Sequence, residues 1–306
     1  MKKSKVVALT LIVGIASSSL LGCGGTATPA SSSAAAVSST SSSAATSSQD
    51  GSDVKTVQIA TSGSPKPFNF VGTDKKPTGY EIELLQKVDE QLKDYKFEYN
   101  VTEFDSLFAG LDSKKYDLIA GNLSRTAARD AKYVISKQSY CNPPTVLITN
   151  QDNTAVKSID DVGGLNIPAG AGRAQAIFLE SYNKQHPQKP VKITYTDAGS
   201  DALLVDLHNK RYDACLYNET AVDFVLKTYG YKFNIIKLTD AQSAKIYSEP
   251  GVWLFYNQDD KKLRDEVDTV LQKFTKDGTL SALAQKWFGK PDYIENLPVS
   301  TVKDPG

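Results

Sequence analysis

Apolar and polar positions along this chain follow two periods, and the two periods alternate. Short apolar or alternating runs predict strands at residues 56–61 and 97–101. Between these strands Ile82, Leu85 and Val88 recur at helical spacing, which predicts an amphipathic helix. Strands that alternate with helices are typical of a parallel sheet with crossover helices. The pattern therefore predicts an α/β fold.

One segment of this pattern occurs twice. The stretch FDSLFAGLDSKKYDLIAGN, which ends at Asn122, is followed 96 positions later by the similar stretch SDALLVDLHNKRYDACLYN, which ends at Asn218. Each copy predicts a helix, a tight turn at a basic pair, and a buried strand ending in Asn. Ligands of open α/β sheets bind beyond the carboxyl ends of the strands. We therefore expect Asn122 and Asn218 to face one cleft from two lobes.

The predicted elements divide into two lobes of similar make-up. Lobe 1 is expected to contain residues 53–148 together with residues 250–306, and lobe 2 residues 149–249. Two crossing segments would then join the lobes, and paired crossings form a natural hinge.

The first 52 residues carry a different signal. Three lysines precede an apolar run at residues 6–16, which is too short for a membrane span of about 20 residues. This pattern predicts an export leader over residues 1–22. The sequence Leu-Leu-Gly-Cys ending at Cys23 resembles the lipobox of bacterial lipoproteins, which implies a lipid on the Cys23 thiol; the alternative is a plain leader with a chance Cys. Residues 23–52 are mostly Ser, Ala, Thr and Gly, a composition that predicts a flexible tether.

Composition disfavours several functional classes. Removal of a leader with three lysines and no acid leaves 32 basic residues against 35 acidic ones, so nucleic acid is not an expected partner. The two histidines, His186 and His208, lack metal-ligand spacing, and no nucleophile motif is present. We expect no metal, no cofactor and no catalytic residue. Export permits a disulfide between Cys141 and Cys215, and two buried thiols are the alternative.

The most informative cluster begins where the first repeated strand ends. Ser124 or Thr126 can cap a helix whose first amides attract an anion, and Arg129 offers a planar fork that matches a carboxylate. The cluster therefore predicts a carboxylate site; the alternative is a surface cap with solvated arginines. Arg125 is expected to point to solvent.

A Gly-rich turn at residues 170–172 lies between a predicted strand and a predicted helix. Its backbone amides, at Ala171 and Gly172, could contact the same anion. The turn lacks the Lys-Ser/Thr of a phosphate loop and the third Gly of a dinucleotide fingerprint, which disfavours nucleotide binding. A simple tight turn is the alternative.

From residue 57 to residue 288 the chain resembles the polar amino-acid solute-binding proteins of ABC importers. The motifs that carry the resemblance are Pro67-Phe-Asn-Phe70, Thr78-Gly-Tyr-Glu-Ile-Glu83, Phe104-Asp-Ser-Leu107, Lys115-Tyr-Asp117, Ser124 to Arg129, Val162-Gly-Gly164, Arg211-Tyr-Asp213, Asp277-Gly-Thr-Leu280 and Lys286-Trp-Phe-Gly289. The resemblance implies a two-lobed periplasmic-binding-protein fold of type II, with two parallel-rich sheets joined by two hinge strands.

The resemblance also implies a set of ligand-binding residues. Arg129 would pair with the ligand α-carboxylate, with help from Ser124 and Asn122. Phe104 would pack on the aliphatic part of the ligand, or else belong to the core. The full set expected in the site is Arg129, Ser124, Asn122, Phe104, Gly121, Phe68, Glu81, Ala171, Gly172 and Asn218.

Two residues depart from the family pattern. Asn218 stands where many members have an Asp that binds the α-ammonium, and Pro65 stands where many have an aromatic lid. An Asn carbonyl can accept a hydrogen bond from an ammonium but supplies no charge. Either another acid, Glu219 or Glu81, compensates, or the ligand differs from a plain α-amino acid.

The resemblance implies a lipid-anchored monomer on the outer face of the bacterial cell membrane. Such a protein would close on an amino acid, such as cystine or another sulfur-containing or polar amino acid, and deliver it to an ABC permease and its ATPase; the motifs look most like the cystine and sulfur-amino-acid branch. The alternatives are a dehydratase of the arogenate or prephenate type, with Glu81 or Glu219 as its acid or base, and a ligand-sensing subunit of a membrane signalling system.

Overall fold

The computed structural model describes residues 54–305, which fold into strands and helices in close alternation. The strands are β1 Lys55–Thr61, β2 Phe70–Val71, β3 Pro77–Thr78, β4 Tyr95–Val101, β5 Leu118–Leu123, β6 Val134–Ile135, β7 Thr145–Asn150, β8 Asn166–Ala169, β9 Lys192–Tyr195, β10 Ala214–Asn218, β11 Phe233–Lys237 and β12 Trp253–Tyr256. The helices are α1 Tyr80–Asp89, α2 Phe104–Asp112, α3 Ala127–Asp130, α4 Ala174–Gln185, α5 Ser200–His208, α6 Glu219–Tyr229, α7 Asp240–Ser243, α8 Lys261–Lys276 and α9 Thr279–Phe288.

Lobe 1 is built on a five-stranded sheet in the order β4-β1-β5-β12-β6. β1 is parallel to β4 and β5, whereas β12 is antiparallel to β5 and β6. Helices α1, α8 and α9 pack on this sheet through apolar faces that include Leu85, Val267 and Leu283. The late strand β12 and the two last helices thus pack with the strands and helices of lobe 1.

Lobe 2 contains two short sheets. β8 and β9 are parallel, while β7 is antiparallel to both β10 and β11. Lobe 2 therefore contains antiparallel strand pairs where a parallel-rich sheet was expected. Since β7 pairs with lobe 2 strands from Thr145 onward, the first crossing lies before residue 145, and the expected boundary at residue 148 is a few residues too late.

The two crossings run side by side. Cys141 and Val252 form an isolated antiparallel bridge at their lobe 1 ends. The returning crossing is also held by Arg125, whose side chain forms ion pairs with Asp130 at 2.8 Å and with Glu249 at 3.3 Å. Arg125 is 3% exposed, so the expectation that it points to solvent is wrong. Its charge is neutralised within the hinge region.

The two copies of the repeat share their backbone geometry. Lys114 and Lys210, at matching positions, both adopt left-handed φ angles, 58° and 59°, in the turn after the helix. The Asp carboxylates that follow play the same part in each lobe. The Asp117 carboxylate accepts a hydrogen bond from the Gln58 N–H of β1, and the Asp213 carboxylate accepts one from the Asn166 N–H of β8, each at 2.7 Å. The turn thereby fixes the repeated strand beside its neighbour, and each strand ends at the cleft.

Other expectations are settled by burial or fall outside the described residues. Cys141 and Cys215 are both buried and unpaired, in the cores of different lobes. The leader, the tether and Cys23 lie outside residues 54–305. Over that range, no helix has the length and apolar character needed to cross a membrane.

Candidate ligand-binding site

A cavity lies between the lobes, where the two repeated strands end. Its lobe 1 wall contains Ser64, Pro65, Phe104, Asn122, Leu123, Ser124 and Arg129. Its lobe 2 wall contains Pro168, Ala169, Gly170, Arg173, Ala174, Gln175, Ala198, Leu216, Tyr217, Asn218 and Tyr247. Asn122 and Asn218, the matching residues of the repeat, thus line one cavity from opposite lobes.

Arg129 is the central charged group of the lobe 1 wall. Thr126 caps the one-turn helix α3 by accepting the Arg129 N–H. The guanidinium donates to the Ser124 carbonyl at 2.7 Å and, across the cleft, to the Gly172 carbonyl at 3.1 Å. Burial, and secondarily the nearby Arg173, lowers the pKa of Arg129 to about 10. The group remains cationic at neutral pH, and an anion in the cavity would relieve the cost of burying it.

Arg173 faces Arg129 from lobe 2. Its guanidinium carbon lies 3.8 Å from the centre of the Phe104 ring, and that of Arg129 lies 6.0 Å from the same centre. Burial lowers the pKa of Arg173 as well. Arg173 directly follows the Gly-rich turn at residues 170–172 and was not among the residues expected in the site. A cation at the start of a helix behind a predicted cleft turn was the signal that could have identified it.

Asn122 and Asn218 close the cavity together. The Asn122 amide donates to Asn218 Oδ1 at 3.3 Å, and the Asn218 amide donates to Asn122 Oδ1 at 3.0 Å. Asn122 adopts a left-handed φ of 53°, which Asn tolerates better than most residues. The two lobes are therefore joined by a reciprocal amide pair.

Glu81 lies behind the lobe 1 wall rather than in it. The carboxylate is fully buried and accepts hydrogen bonds from the Asn69 amide at 2.8 Å, from the Asn122 N–H at 3.1 Å, and from the Tyr140 hydroxyl. Burial raises its pKa, although these donors act in the opposite direction. Glu81 thus holds the backbone of Asn122 and has no surface in the cavity.

Four further residues of the expected set, Phe68, Gly121, Ala171 and Gly172, also lie off the cavity walls. Phe68 is fully buried against Tyr80 and Phe288. Gly121 is buried in β5, and Ala171 is exposed on the outside of its turn. Gly172 contributes through its carbonyl, which accepts from Arg129.

Glu219 points away from the cavity, toward the hinge side. It forms an ion pair with Lys237 at 2.7 Å and accepts a hydrogen bond from the Tyr293 hydroxyl of lobe 1 at 3.2 Å. Neither of the two acids considered as an ammonium partner or as a catalytic group therefore reaches the cavity. None of the cavity-lining residues in the described chain is acidic.

Two tyrosines complete the lobe 2 wall and had no signal in the sequence. The Tyr247 hydroxyl accepts hydrogen bonds from Thr145 and Gln175, both at 3.3 Å. Tyr217 lies in β10 immediately before Asn218. Tyr247 follows α7 in a segment without a periodic pattern, so only the folded chain shows that it reaches the cleft. No group of His, Cys, Asp and Glu within residues 54–305 is arranged to hold a metal ion.

Comparison with known proteins decides the family. The profile of the bacterial extracellular solute-binding proteins, family 3, matches residues 57–290. This chain belongs to that family. Membership places it outside the cytoplasm, and it confirms the resemblance drawn from the motifs.

Two similar proteins are named for the ligand that they bind. The chain is 30% identical to the L-cystine-binding protein TcyK of Bacillus subtilis over 242 residues, covering 78% of this chain and 87% of the relative. It is 28% identical to TcyJ of the same organism, also an L-cystine-binding protein, over 79% of this chain and 87% of the relative. These relatives are binding proteins, not enzymes.

A solved structure is also similar to this chain. It comes from work on glutathione import via GshT and the cystine ABC importer TcyBC of Streptococcus mutans, and its sequence is 31% identical to this chain. The TM-score is 0.72, with 80% of this chain and 97% of the other covered. The two-lobed fold expected from the sequence is thereby confirmed.

Proposed function

We propose that this protein captures an amino acid or a small amino-acid derivative between its lobes and delivers it to an ABC permease. The observation that carries the proposal is Arg129, a buried cation on the lobe 1 wall of the cavity with no carboxylate partner among the described residues. Relatives named for L-cystine, and a related structure from work on glutathione import, indicate a sulfur-containing ligand.

Arg129 binds the ligand carboxylate in this proposal. A guanidinium presents five N–H donors in a fixed plane, and here only two of its hydrogen bonds are made, both to backbone carbonyls. Ser124 and Asn122 border the same space. Phe104 supplies an apolar surface for the aliphatic part of the ligand, in addition to its place in the core of lobe 1.

Closure couples binding to transport. The Asn122–Asn218 pair, the Arg129–Gly172 hydrogen bond and a Lys66–Asp201 ion pair at 3.3 Å all join lobe 1 to lobe 2. A ligand that contacts both walls stabilises this closed state relative to an open one. The permease would then recognise the closed form.

The proposed site of action rests on the export leader and the lipobox-like Cys23 expected from the sequence. A lipid on the Cys23 thiol and the tether at residues 23–52 would hold a monomeric binding protein at the outer face of the cell membrane, close to its permease. Mass spectrometry of the chain from its native host tests the anchor: a mature N-terminus at Cys23 with a diacylglyceryl mass supports it, and an unmodified Cys23 contradicts it.

Calorimetry on the full-length chain in detergent tests the binding function. Titration with L-cystine, glutathione and the common amino acids is expected to give saturable, one-to-one binding with at least one of them. A chain that binds none of these ligands would contradict the proposal.

A further inference from the structure

The five arginines of this chain fall into two groups. Arg125, Arg211 and Arg264 each have a carboxylate within 3.3 Å. Arg129 and Arg173 have none within 4.0 Å among residues 54–305, and these two are the arginines that line the cavity. Asp105 and Asp197 influence Arg173 only from beyond ion-pair distance.

The two unpaired arginines lie on opposite walls, close to each other. Their guanidinium carbons are 6.0 and 3.8 Å from the centre of the Phe104 ring, so they are within about 10 Å of each other. Two like charges at this distance in a partly desolvated cleft repel each other, because the low local dielectric weakens screening. The two arginines give the closed cavity a formal charge of +2, and none of its described lining residues is an acid that would compensate this charge.

From this arrangement we infer that the ligand carries two carboxylates, one bound by Arg129 of lobe 1 and the other by Arg173 of lobe 2. The inference rests on the proposed function and names the class of ligand. A ligand of this kind bridges the lobes through two charge-assisted hydrogen-bonded pairs, and each pair gives one of the two arginines a partner.

The same walls, as far as the described residues show, offer no negatively charged side chain to an ammonium group. The amide oxygens of Asn122 and Asn218 are the side-chain acceptors at the position of the missing acid, and each already accepts from the other Asn. Selectivity therefore comes from the second carboxylate. A plain amino acid with one carboxylate leaves one of the two arginines without a partner.

Matched pairs of ligands test this inference on the full-length chain by calorimetry. Each pair differs in one carboxylate: L-cystine and the mixed disulfide of cysteine with cysteamine, glutathione and its glycine ethyl ester, L-glutamate and L-glutamine. For the pair that binds, loss of the second carboxylate is expected to weaken binding by about 10- to 100-fold, the effect of a lost charged hydrogen bond.

Two variants assign this effect to a residue. In Arg173→Gln the two members of the pair are expected to bind within about threefold of each other. Arg211→Gln removes the same charge from an exposed position of lobe 2, 69% exposed and paired with Asp206, and should keep the full difference. Melting temperatures of both variants check the fold.

The outcomes separate this inference from the proposed function. If no member of any pair binds to the wild-type chain, and no common amino acid does, both fail. If ligands with one carboxylate bind as tightly as their partners, or if Arg173→Gln keeps the full difference, the proposed function stands and this inference is overturned.

Discussion

Asn122 and Asn218 occupy the same position in the two copies of the repeat, 96 residues apart, and their side-chain amides bind each other across the cleft. Asn122 is the next-to-last residue of β5 and Asn218 is the last residue of β10, so the two strands end face to face. The symmetry of the repeat thus becomes a direct contact between the lobes. This contact is a candidate for the element that closure makes and opening breaks.

Asn218→Ala is expected to shift the chain toward the open state. The substitution removes two neutral hydrogen bonds, each of which contributes about 0.5–1.5 kcal/mol. A smaller closed population raises the apparent Kd, by roughly 5- to 30-fold for a loss of about 1–2 kcal/mol. Small-angle scattering without ligand should show a larger radius of gyration, and calorimetry should show the weaker binding.

Asn209→Ala is the control for this experiment. Asn209 is an exposed residue at the end of α5 in the same lobe, and its removal should change neither measurement. An Asn218→Ala chain with unchanged scattering and unchanged affinity would show that the amide pair does not bias closure.

Arg129→Ala is expected to weaken ligand binding by about 2–4 kcal/mol, on the order of 30-fold or more, because a buried carboxylate loses its charged partner. Arg129→Lys should recover only part of this loss, since an ammonium lacks the planar fork. Arg211→Ala serves as the surface control. Equal affinities of wild type and Arg129→Ala, measured by calorimetry, would remove Arg129 from the ligand site.

The strands and helices could be predicted from the sequence because their apolar periods are local. Both copies of the repeat end at the cavity, and Asn122 and Arg129 at the end of the first repeated strand line its wall. Arg125 and Arg129 are only four positions apart, yet Arg125 turns inward to Glu249 at the hinge and Arg129 to Gly172 across the cleft. These partners are distant in sequence, so no local pattern distinguishes the two arginines.

The burial of Glu81 could not be predicted from the sequence for a similar reason. An acid at the start of a helix is ordinarily solvated, and the sequence gives no sign that Asn69 and Tyr140 approach from two other segments. These donors, together with the Asn122 N–H, satisfy the carboxylate where it is completely buried. The residue that stood as a ligand candidate instead supports the wall behind the ligand.

Glu81→Ala is expected to reduce the free energy of unfolding by about 3 kcal/mol, because several buried donors lose their acceptor. Urea denaturation measures this change. Glu83→Ala, which removes a partly exposed pair with Lys286, should cost about 1 kcal/mol or less. Equal effects of the two substitutions would contradict a special role for the buried carboxylate.

Asp268 is expected to make stability depend on pH. Burial raises its pKa to about 6. The carboxylate accepts hydrogen bonds from the backbone N–H groups of Lys137 and Gln138, and these bonds lower the pKa but do not cancel the effect of burial. Because the folded chain binds this proton more tightly than the unfolded chain, the stabilisation is complete below about pH 4 and is lost as the pH rises through 6. The loss amounts to about 3 kcal/mol.

Urea denaturation at pH values from 4 to 7 tests this dependence. Asp268→Asn should lose the contribution of this group, so its curve falls less steeply than that of the wild type. Asp94→Asn, a change at an exposed position, should leave the dependence as it is. Parallel curves for wild type and Asp268→Asn would contradict the prediction.

Asn218→Asp is expected to change which ligands the cavity prefers. The new carboxylate would stand at the end of β10, where it offers charge to an ammonium and offsets one of the two unpaired arginines. Ligands with one carboxylate and one ammonium should gain affinity relative to ligands with two carboxylates, by about 10-fold in the ratio of their Kd values. Calorimetry with L-glutamine and L-glutamate, or with the cystine pair, measures this ratio. A ratio that stays the same, in a variant that melts like the wild type, would mean that the ligand ammonium does not approach Asn218.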